Sequence, residues 1–305
     1  ATHPGLMVLV CALSMPFAGV RTYYSRIYEC KFIAGAVAGA MAGDTPIGYI
    51  SRYPILGVPA AVNAFALGAR MTNPNAKILL EWSALEGNHL EILRSKGVSI
   101  VSGHPIVSQW TAEGNIGWNT SSLNAAGRLE PLTSDLWDWG KMYEQIVRGV
   151  INGAWKAFDI TKSSAVNYWW GMNSGVIDVI LSDQVPVGVR QLASILRRGL
   201  IDGTIHPFDC PMTDQNGIVR NDGERRLMPE EIMHINWLID NVEGKIPKTD
   251  ELLPMAQETT RLLSLRPDTA LQELEKEREM DQEENQEAET EGEPSDTENV
   301  EKDGL

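Results

Sequence analysis

Polar side chains follow the short apolar runs of this sequence, at the positions where strands would end. Open α/β sheets bind ligands beyond the carboxyl ends of their strands, so these side chains define a predicted binding edge. One arginine and one aromatic ring among hydroxyl and amide groups suit hydrogen bonding to a sugar and stacking on a flat ring. The candidates are Ser51, Arg52, Tyr53 and Pro54 after residues 47–50, Ser102, Gly103 and His104 after 98–101, and Asn119, Thr120 and Ser121 after 115–118, together with Ser14, Met15, Pro16 and Ser83.

The sequence offers no arrangement typical of catalysis or metal binding. The candidate set holds no Ser–His–Asp combination and no pair of carboxylates that would form a nucleophile or an acid–base couple. The histidines are scattered without ligand spacing, and no C-x-x-C occurs. We therefore predict no metal and no cofactor, and we interpret Cys11, Cys30 and Cys210 as buried free thiols.

The elements that position these residues alternate between short apolar runs and longer helical patterns. This alternation predicts an α/β fold with parallel strands joined by crossover helices. The small-residue row Gly35, Gly39 and Gly43 predicts that the first helix packs closely against the sheet. The predicted strands are 7–13, 47–50, 78–82, 98–101, 115–118 and 176–181, the predicted helices are 27–42, 58–71, 86–96, 136–154, 187–202 and 229–242, and residues 209–226 are predicted to form a surface hairpin or loop.

The negative charge is concentrated at the end of the chain. Residues 271–305 hold fifteen acidic and three basic side chains, so they carry −12 of the net charge of −15. This segment is almost free of aromatic residues and is predicted to be a disordered acidic tail, with an acidic docking segment as the alternative. The absence of a basic patch argues against nucleic-acid binding, and no apolar run has the length needed to span a bilayer.

Residues 22–78 join a tyrosine-rich opening, a small-residue helix, a Gly-Tyr-Ile strand and a Pro-containing turn in a specific order. This order resembles the basic membrane protein family of ABC-transporter solute receptors, and within it the PnrA-like purine-nucleoside-binding proteins. The resemblance continues at GVSIVSGH, at WDWGKMY and from Tyr168 to Pro247. It implies a two-lobed, periplasmic-binding-protein-like fold of type I with Rossmann-like sheets.

The resemblance also implies a division of the chain. Residues 1–45 and 124–247 would form the first lobe, and residues 46–123 the second lobe. Residues 248–270 would be a C-terminal extension before the acidic tail. Because such receptors carry further residues before this point, we interpret the chain as a fragment whose first lobe is incomplete.

By the same resemblance, Asn119 stands where nucleoside receptors carry an aspartate that binds the ribose hydroxyls. An amide still donates and accepts hydrogen bonds, but it lacks the charge that strengthens them. Tyr24 matches the aromatic segment before the first-lobe helix, and Arg52 and Tyr53 match the turn that closes over the ligand. Together with Ser102, these residues are predicted to contact the ligand.

Two tryptophan pairs are candidates either for the core or for the cleft. Trp137 and Trp139 lie at a predicted helix start, where we expect them to face different ways, so that one packs in the core and the other can line the cleft. Trp169 and Trp170 are interpreted as structural. Trp137 and Asp138 are therefore added to the ligand candidates, with helix capping as the alternative role for Asp138.

The resemblance implies a non-enzymatic solute receptor. It would capture a small ligand, a purine nucleoside, between its lobes and deliver it to an ABC permease at the extracytoplasmic face of the plasma membrane, as a lipoprotein. One alternative is a cytoplasmic ligand sensor with the same fold. The other is a nucleoside-processing enzyme, which would need an acid–base carboxylate in the cleft and would release free base.

Overall fold

The computed structural model describes residues 7–13, 20–103, 107–111, 114–153 and 168–263, with the backbone alone for 107–111 and 114–116. The candidates Ser14, Met15, Pro16 and His104 and the predicted acidic tail lie outside the described residues. The helices are α1 (Tyr28–Ala42), α2 (Val58–Thr72), α3 (His89–Ser95), α4 (Trp139–Ile151), α5 (Val187–Asp202), α6 (Pro229–Met233) and α7 (Pro254–Leu262). The strands are β1 (Val8–Cys11), β2 (Val20–Ser25), β3 (Ile47–Ser51), β4 (Ile78–Trp82), β5 (Ile100–Gly103), β6 (Val107–Thr111), β7 (Gly114–Trp118), β8 (Thr120–Leu123), β9 (Leu129–Trp137), β10 (Tyr168–Trp170), β11 (Ile177–Leu181), β12 (Met212–Thr213), β13 (Val219–Asn221) and β14 (Val242–Glu243).

A seven-stranded sheet has the strand order β11-β9-β8-β5-β3-β4-β14. Strand β3 is parallel to β4 and β5, with α2 and α3 as the crossover helices, as the alternating pattern predicted. Strand β8 is antiparallel to both β5 and β9, so β9 runs in the same direction as β5. The carboxyl ends of β3, β5 and β9, at Ser51, Gly103 and Trp137, therefore lie on one edge of the sheet.

A second sheet consists of β1, β2 and β10, which are all parallel. Ser25 at the end of β2 pairs with Trp170 at the end of β10, so the carboxyl ends of these strands also share one edge. Two hairpins complete the described strands. They are β6–β7 and β12–β13, and the second confirms the predicted hairpin within residues 209–226.

The predicted α/β class is confirmed, but several elements differ from the prediction. Strands β2, β6, β8, β9, β10 and β14 were not predicted, and the helix expected over 136–154 begins only at Trp139 because residues before it belong to β9. The buried part of β9 includes the consecutive residues Thr133, Ser134 and Asp135, so the strand does not show the apolar signature of a core strand. The helix expected over 229–242 ends at Met233.

The small-residue row of α1 packs against α2, which corrects the expectation that it packs against the sheet. A Cβ on Gly35 would lie 2.0 Å from the carbonyl oxygen of Phe65, and a Cβ on Gly68 would lie 2.0 Å from that of Phe32. The two helix backbones thus meet directly, and neither glycine can be replaced without displacing a helix.

Within the described residues, no helix has the length and apolar character that a membrane crossing requires.

The three thiols are free, but they are not all buried as expected. Cys30 is fully enclosed in α1, and Cys210 is half-buried. Cys11 is exposed, because it ends β1, which lies at the edge of the three-stranded sheet.

Candidate functional site

The carboxyl edges of the two sheets meet at Ser25. The indole Nε1 of Trp137, at the end of β9, donates to Ser25 Oγ at 2.8 Å. The indole Nε1 of Trp169, in β10, donates to the Ser25 carbonyl oxygen at 3.2 Å. We call the region around these contacts the junction, formed by Tyr24, Ser25, Gly103, Asn119, Trp137 and Trp169.

Trp137 belongs to a cluster of four aromatic side chains. Its ring is parallel to that of Trp139, with 6.2 Å between centroids and 3° between planes. Trp139 also stacks on Tyr143, and Tyr23 meets both of these rings edge-on. The expectation that Trp137 and Trp139 face different ways is therefore wrong. Residue 137 ends a strand rather than lying inside a helix, and residues two apart in extended chain point to the same side.

Tyr24 lies half-buried beside Trp169, and both rings pack on a small apolar group that includes Leu13, Leu56 and Met233. Burial raises the pKa of the Tyr24 phenol, and the nearby Cys11 adds to this effect. The phenol is therefore neutral at physiological pH and keeps a hydroxyl that can donate or accept a hydrogen bond. Three partly accessible aromatic rings, Tyr24, Trp137 and Trp169, thus surround the junction.

Asn119 is 4% exposed and joins two strands across the end of β8. Its Nδ2 donates to the Gly103 carbonyl oxygen at 3.2 Å, and its Oδ1 accepts from the Asp135 backbone N–H at 2.7 Å. The side chain therefore links the end of β5 to β9, the two strands on either side of β8. An amide supplies both a donor and an acceptor here, whereas an ionised carboxylate supplies acceptors alone.

Lys31 from α1 completes a closed set of polar contacts with Asn119. Its Nζ lies 2.6 Å from Asp135 Oδ2 and donates to the Gly103 carbonyl oxygen at 2.9 Å. We call Lys31, Gly103, Asn119 and Asp135 the polar ring, because each residue contacts the next. Burial lowers the pKa of Lys31, but the adjacent Asp135 carboxylate, together with Tyr49 and Cys30, outweighs this effect, so that the pKa is raised and the ammonium stays charged.

Position 103 of the polar ring requires a glycine. Its φ is +134°, a conformation that side chains with a Cβ rarely adopt. A Cβ there would lie 1.9 Å from the carbonyl oxygen of Ile50 on the neighbouring strand. The glycine therefore fixes a carbonyl group that accepts from both Lys31 and Asn119.

The other predicted residues lie elsewhere or are engaged with the fold. Ser102 is fully buried and its hydroxyl bonds to Thr120 at 2.9 Å within the sheet. Tyr53 packs near Leu252 and Ala256 at α7, and the exposed Arg52 guanidinium lies 5.0 Å from its ring centroid.

Asp138 has the capping role that was its alternative interpretation. Its Oδ1 accepts from the Lys141 backbone N–H at 3.0 Å at the start of α4, and its Oδ2 lies 3.1 Å from Lys141 Nζ. The hydrogen bond from this backbone N–H, together with that from the Lys141 side chain, lowers the pKa of Asp138.

Sequence reasoning did not select Lys31, Ser25 or Asp135 as ligand-contact residues. One signal was present for Lys31, since it is a lone cation followed by the uninterrupted small and apolar residues of α1. Such a residue is rarely buried without a partner. Its partner Asp135 lies more than a hundred residues away, so the pair could not be recognised from spacing.

A separate groove of about 820 Å³ runs along β4 and β14, away from the junction. Two of its lysines pair with carboxylates that also line it, with Lys77 3.3 Å from Glu243 and Lys96 3.0 Å from Glu81. The junction is the stronger candidate for ligand binding, because it combines strand ends from two sheets and half-buried aromatic rings.

Two curated proteins are similar to this chain in sequence, although no protein-family model matches it. A purine-binding protein from Brucella abortus is 24% identical over 241 residues, which cover 74% of this chain and 65% of that protein. A putative ABC transporter glucose-binding protein from Haloferax volcanii is 30% identical over 165 residues, which cover 50% of this chain and 40% of that protein. The chain thus spans less than two thirds of either relative.

Among solved structures, an ABC transporter solute-binding protein from Conexibacter woesei aligns with a TM-score of 0.41 and 14% identity, over 62% of this chain and 66% of that one. The two sequence relatives confirm the resemblance to PnrA-like solute-binding proteins of ABC transporters that the motifs indicated. Both of their names describe binding proteins rather than enzymes.

Proposed function

We propose that this chain is the ligand-binding part of a solute receptor for an ABC importer, and that it captures a small, flat, neutral solute of the purine class at the junction. The observation that carries this proposal is the 2.8 Å bond from Trp137 to Ser25, which brings the binding edges of two sheets together. The similarity to a purine-binding protein supports the solute class.

The charges near the junction favour a neutral ligand. Lys31 is paired with Asp135, and Arg26 is paired with Glu29 at 2.7 Å, so these cations are already neutralised by protein carboxylates. Half-buried aromatic rings provide surfaces for a flat heterocycle, and stacking on them requires no charge on the ligand. A permease partner and an extracytoplasmic location belong to the same proposal, as do the lobe boundaries given by the resemblance.

Calorimetric titration tests the proposal directly. Adenine, hypoxanthine, adenosine, inosine, guanosine and glucose would each be titrated into the protein. We expect saturable binding of at least one purine and none of glucose. Binding of glucose alone would replace the purine class with a sugar, and an absence of binding throughout the panel would overturn the proposed function.

A variant pair locates the site. Trp137→Ala should weaken purine binding by about tenfold or more, since a stacking surface is lost. Trp237→Ala removes a partly buried tryptophan beside Arg220, away from the junction, and should leave the affinity unchanged.

The enzyme alternative has a separate test. Chromatography of the protein after incubation with each nucleoside would detect free base released from it, and such release would favour an enzyme instead.

A further inference from the structure

The polar ring connects the helix that follows β2 to the ends of two strands of the other sheet. Lys31 lies in the first turn of α1, six residues after Ser25, and its ammonium reaches Gly103 in β5 and Asp135 in β9. Asn119 bonds to the same Gly103 carbonyl and to the Asp135 backbone. Lys31 and Asn119 therefore share the Gly103 carbonyl oxygen, and both also contact Asp135, Lys31 at the side chain and Asn119 at the backbone N–H.

The Asp135 carboxylate depends on Lys31. Its Oδ2 contacts the ammonium at 2.6 Å, while its Oδ1 is buried and has no hydrogen-bond partner within the described part of the chain. A buried ion pair of this kind adds little to stability compared with apolar residues of similar size, because both charges lose their hydration. Stability alone therefore does not explain why a charged pair occupies this place.

We propose that Lys31 and Asp135 are positioning residues that hold the ends of β5 and β9 in the arrangement needed for ligand binding at the junction. Neither needs to touch the ligand. Lys31 contacts both the Gly103 carbonyl oxygen and the Asp135 carboxylate, and these two contacts keep Asn119 and Trp137 in position. The affinity consequence rests on the proposed function, whereas the effect on the ring itself does not.

The test compares single and double variants of the full chain. Lys31→Met should be strongly destabilised, because it leaves a buried carboxylate without its partner. The double variant Lys31→Met/Asp135→Leu should recover the melting temperature, since an apolar pair replaces the ion pair. Lys31→Gln/Asp135→Asn is the second double variant, with smaller changes in shape, and it serves if the first does not fold. Arg225→Ala/Glu231→Ala removes an exposed ion pair as the control.

Two measurements separate positioning from a merely structural role. Hydrogen exchange by NMR follows the amide of residue 135, which donates to Asn119 Oδ1. Calorimetry with adenine and inosine follows affinity. In a double variant with restored stability, we expect that amide to exchange about tenfold faster and affinity to fall by about tenfold, while the control matches the parent in both.

Unchanged exchange and unchanged affinity in a stable double variant would overturn the positioning role. If the parent binds neither probe, the proposed function fails, and the exchange rate at residue 135 still decides whether Lys31 and Asp135 position the ring. Faster exchange with unchanged affinity would also overturn the proposal, because the ring would then be irrelevant to binding.

Discussion

Replacing Asn119 with aspartate is the sharpest single test of the polar ring. The substitution puts a carboxylate oxygen where Nδ2 donates to the Gly103 carbonyl at 3.2 Å, so two acceptors would face each other. The ring would then hold two carboxylates and one ammonium, that of Lys31. An uncompensated buried charge costs about 3–5 kcal/mol, and the nearby Lys31 places the expected loss of unfolding free energy at the lower end, about 3 kcal/mol.

A matched control exists at Asn73, whose side chain makes the same two kinds of bond in an exposed position. Its Nδ2 donates to the Gly43 carbonyl at 2.8 Å, and its Oδ1 accepts from the Asn75 N–H at 3.1 Å. Asn73→Asp should cost less than about 1 kcal/mol, because water can solvate the exposed carboxylate. Urea unfolding at pH 7 would measure both losses.

The pH dependence provides a second check on Asn119→Asp. Burial without a partner raises the pKa of the introduced carboxyl above its unfolded value of about 3.9. The destabilisation is therefore complete above the folded pKa and decreases as the pH falls through it, because the protonated acid can again donate to Gly103. A loss equal to that of Asn73→Asp, or a loss that does not shrink between pH 7 and pH 5, would refute the hydrogen-bond pattern of the ring.

Two further predictions concern the scaffold. Gly68→Ala should lower the free energy of unfolding by about 2 kcal/mol, because its Cβ would meet the Phe32 carbonyl. Gly188→Ala, whose Cβ would have nothing within 4 Å, should raise that free energy by about 0.5–1 kcal/mol. Thermal unfolding measures both variants, and equal effects would contradict the close approach of α1 and α2. The Glu231 carboxylate accepts two hydrogen bonds from Arg225 and one from the Met228 N–H, and these bonds lower its pKa to about 2. Its stabilising effect is therefore present above its ordinary pKa and is lost as the pH falls toward 2. NMR titration of Arg225→Ala should show the pKa of Glu231 moving back up, and an unmoved value would contradict the pairing.

The sequence predicted well those elements whose pattern is local. Helices α1, α2 and α5 begin and end within one residue of the expected bounds, because apolar or amphipathic runs and a following Gly43, Asn73 or Gly203 mark their ends. The strand pattern of β3 and β4 was equally clear, since both carry a short apolar run before a polar turn. In these segments the local signal and the tertiary environment agree.

Strand β9 shows why the rest could not be predicted. Its buried face carries Thr133 and Asp135, and the charge of the distant Lys31 compensates the burial of the Asp135 carboxylate. Read locally, these polar residues indicate a surface segment or a helix cap. The rule that ligands bind beyond the carboxyl ends of strands selected Asn119 as the residue after β7, but Asn119 lies at the edge of the seven-stranded sheet because the antiparallel β8 begins directly after it. The contacts of its side chain depend on β9 and could not be foreseen without that strand.

The polar ring also explains why residue 119 is an amide here, and this leads to an expectation about the ligand. The side chain must donate to Gly103 and accept from Asp135, which a carboxylate cannot do. Its carbonyl oxygen is therefore engaged with the backbone and is a weaker partner for sugar hydroxyls than a free carboxylate would be. The remaining recognition surface is aromatic, formed by Tyr24, Trp137 and Trp169.

We accordingly expect adenine and hypoxanthine to bind at least as tightly as adenosine and inosine in the calorimetric panel. Nucleosides binding about tenfold more tightly than their bases would mean that other groups recognise the sugar, and this assignment of Asn119 would be wrong.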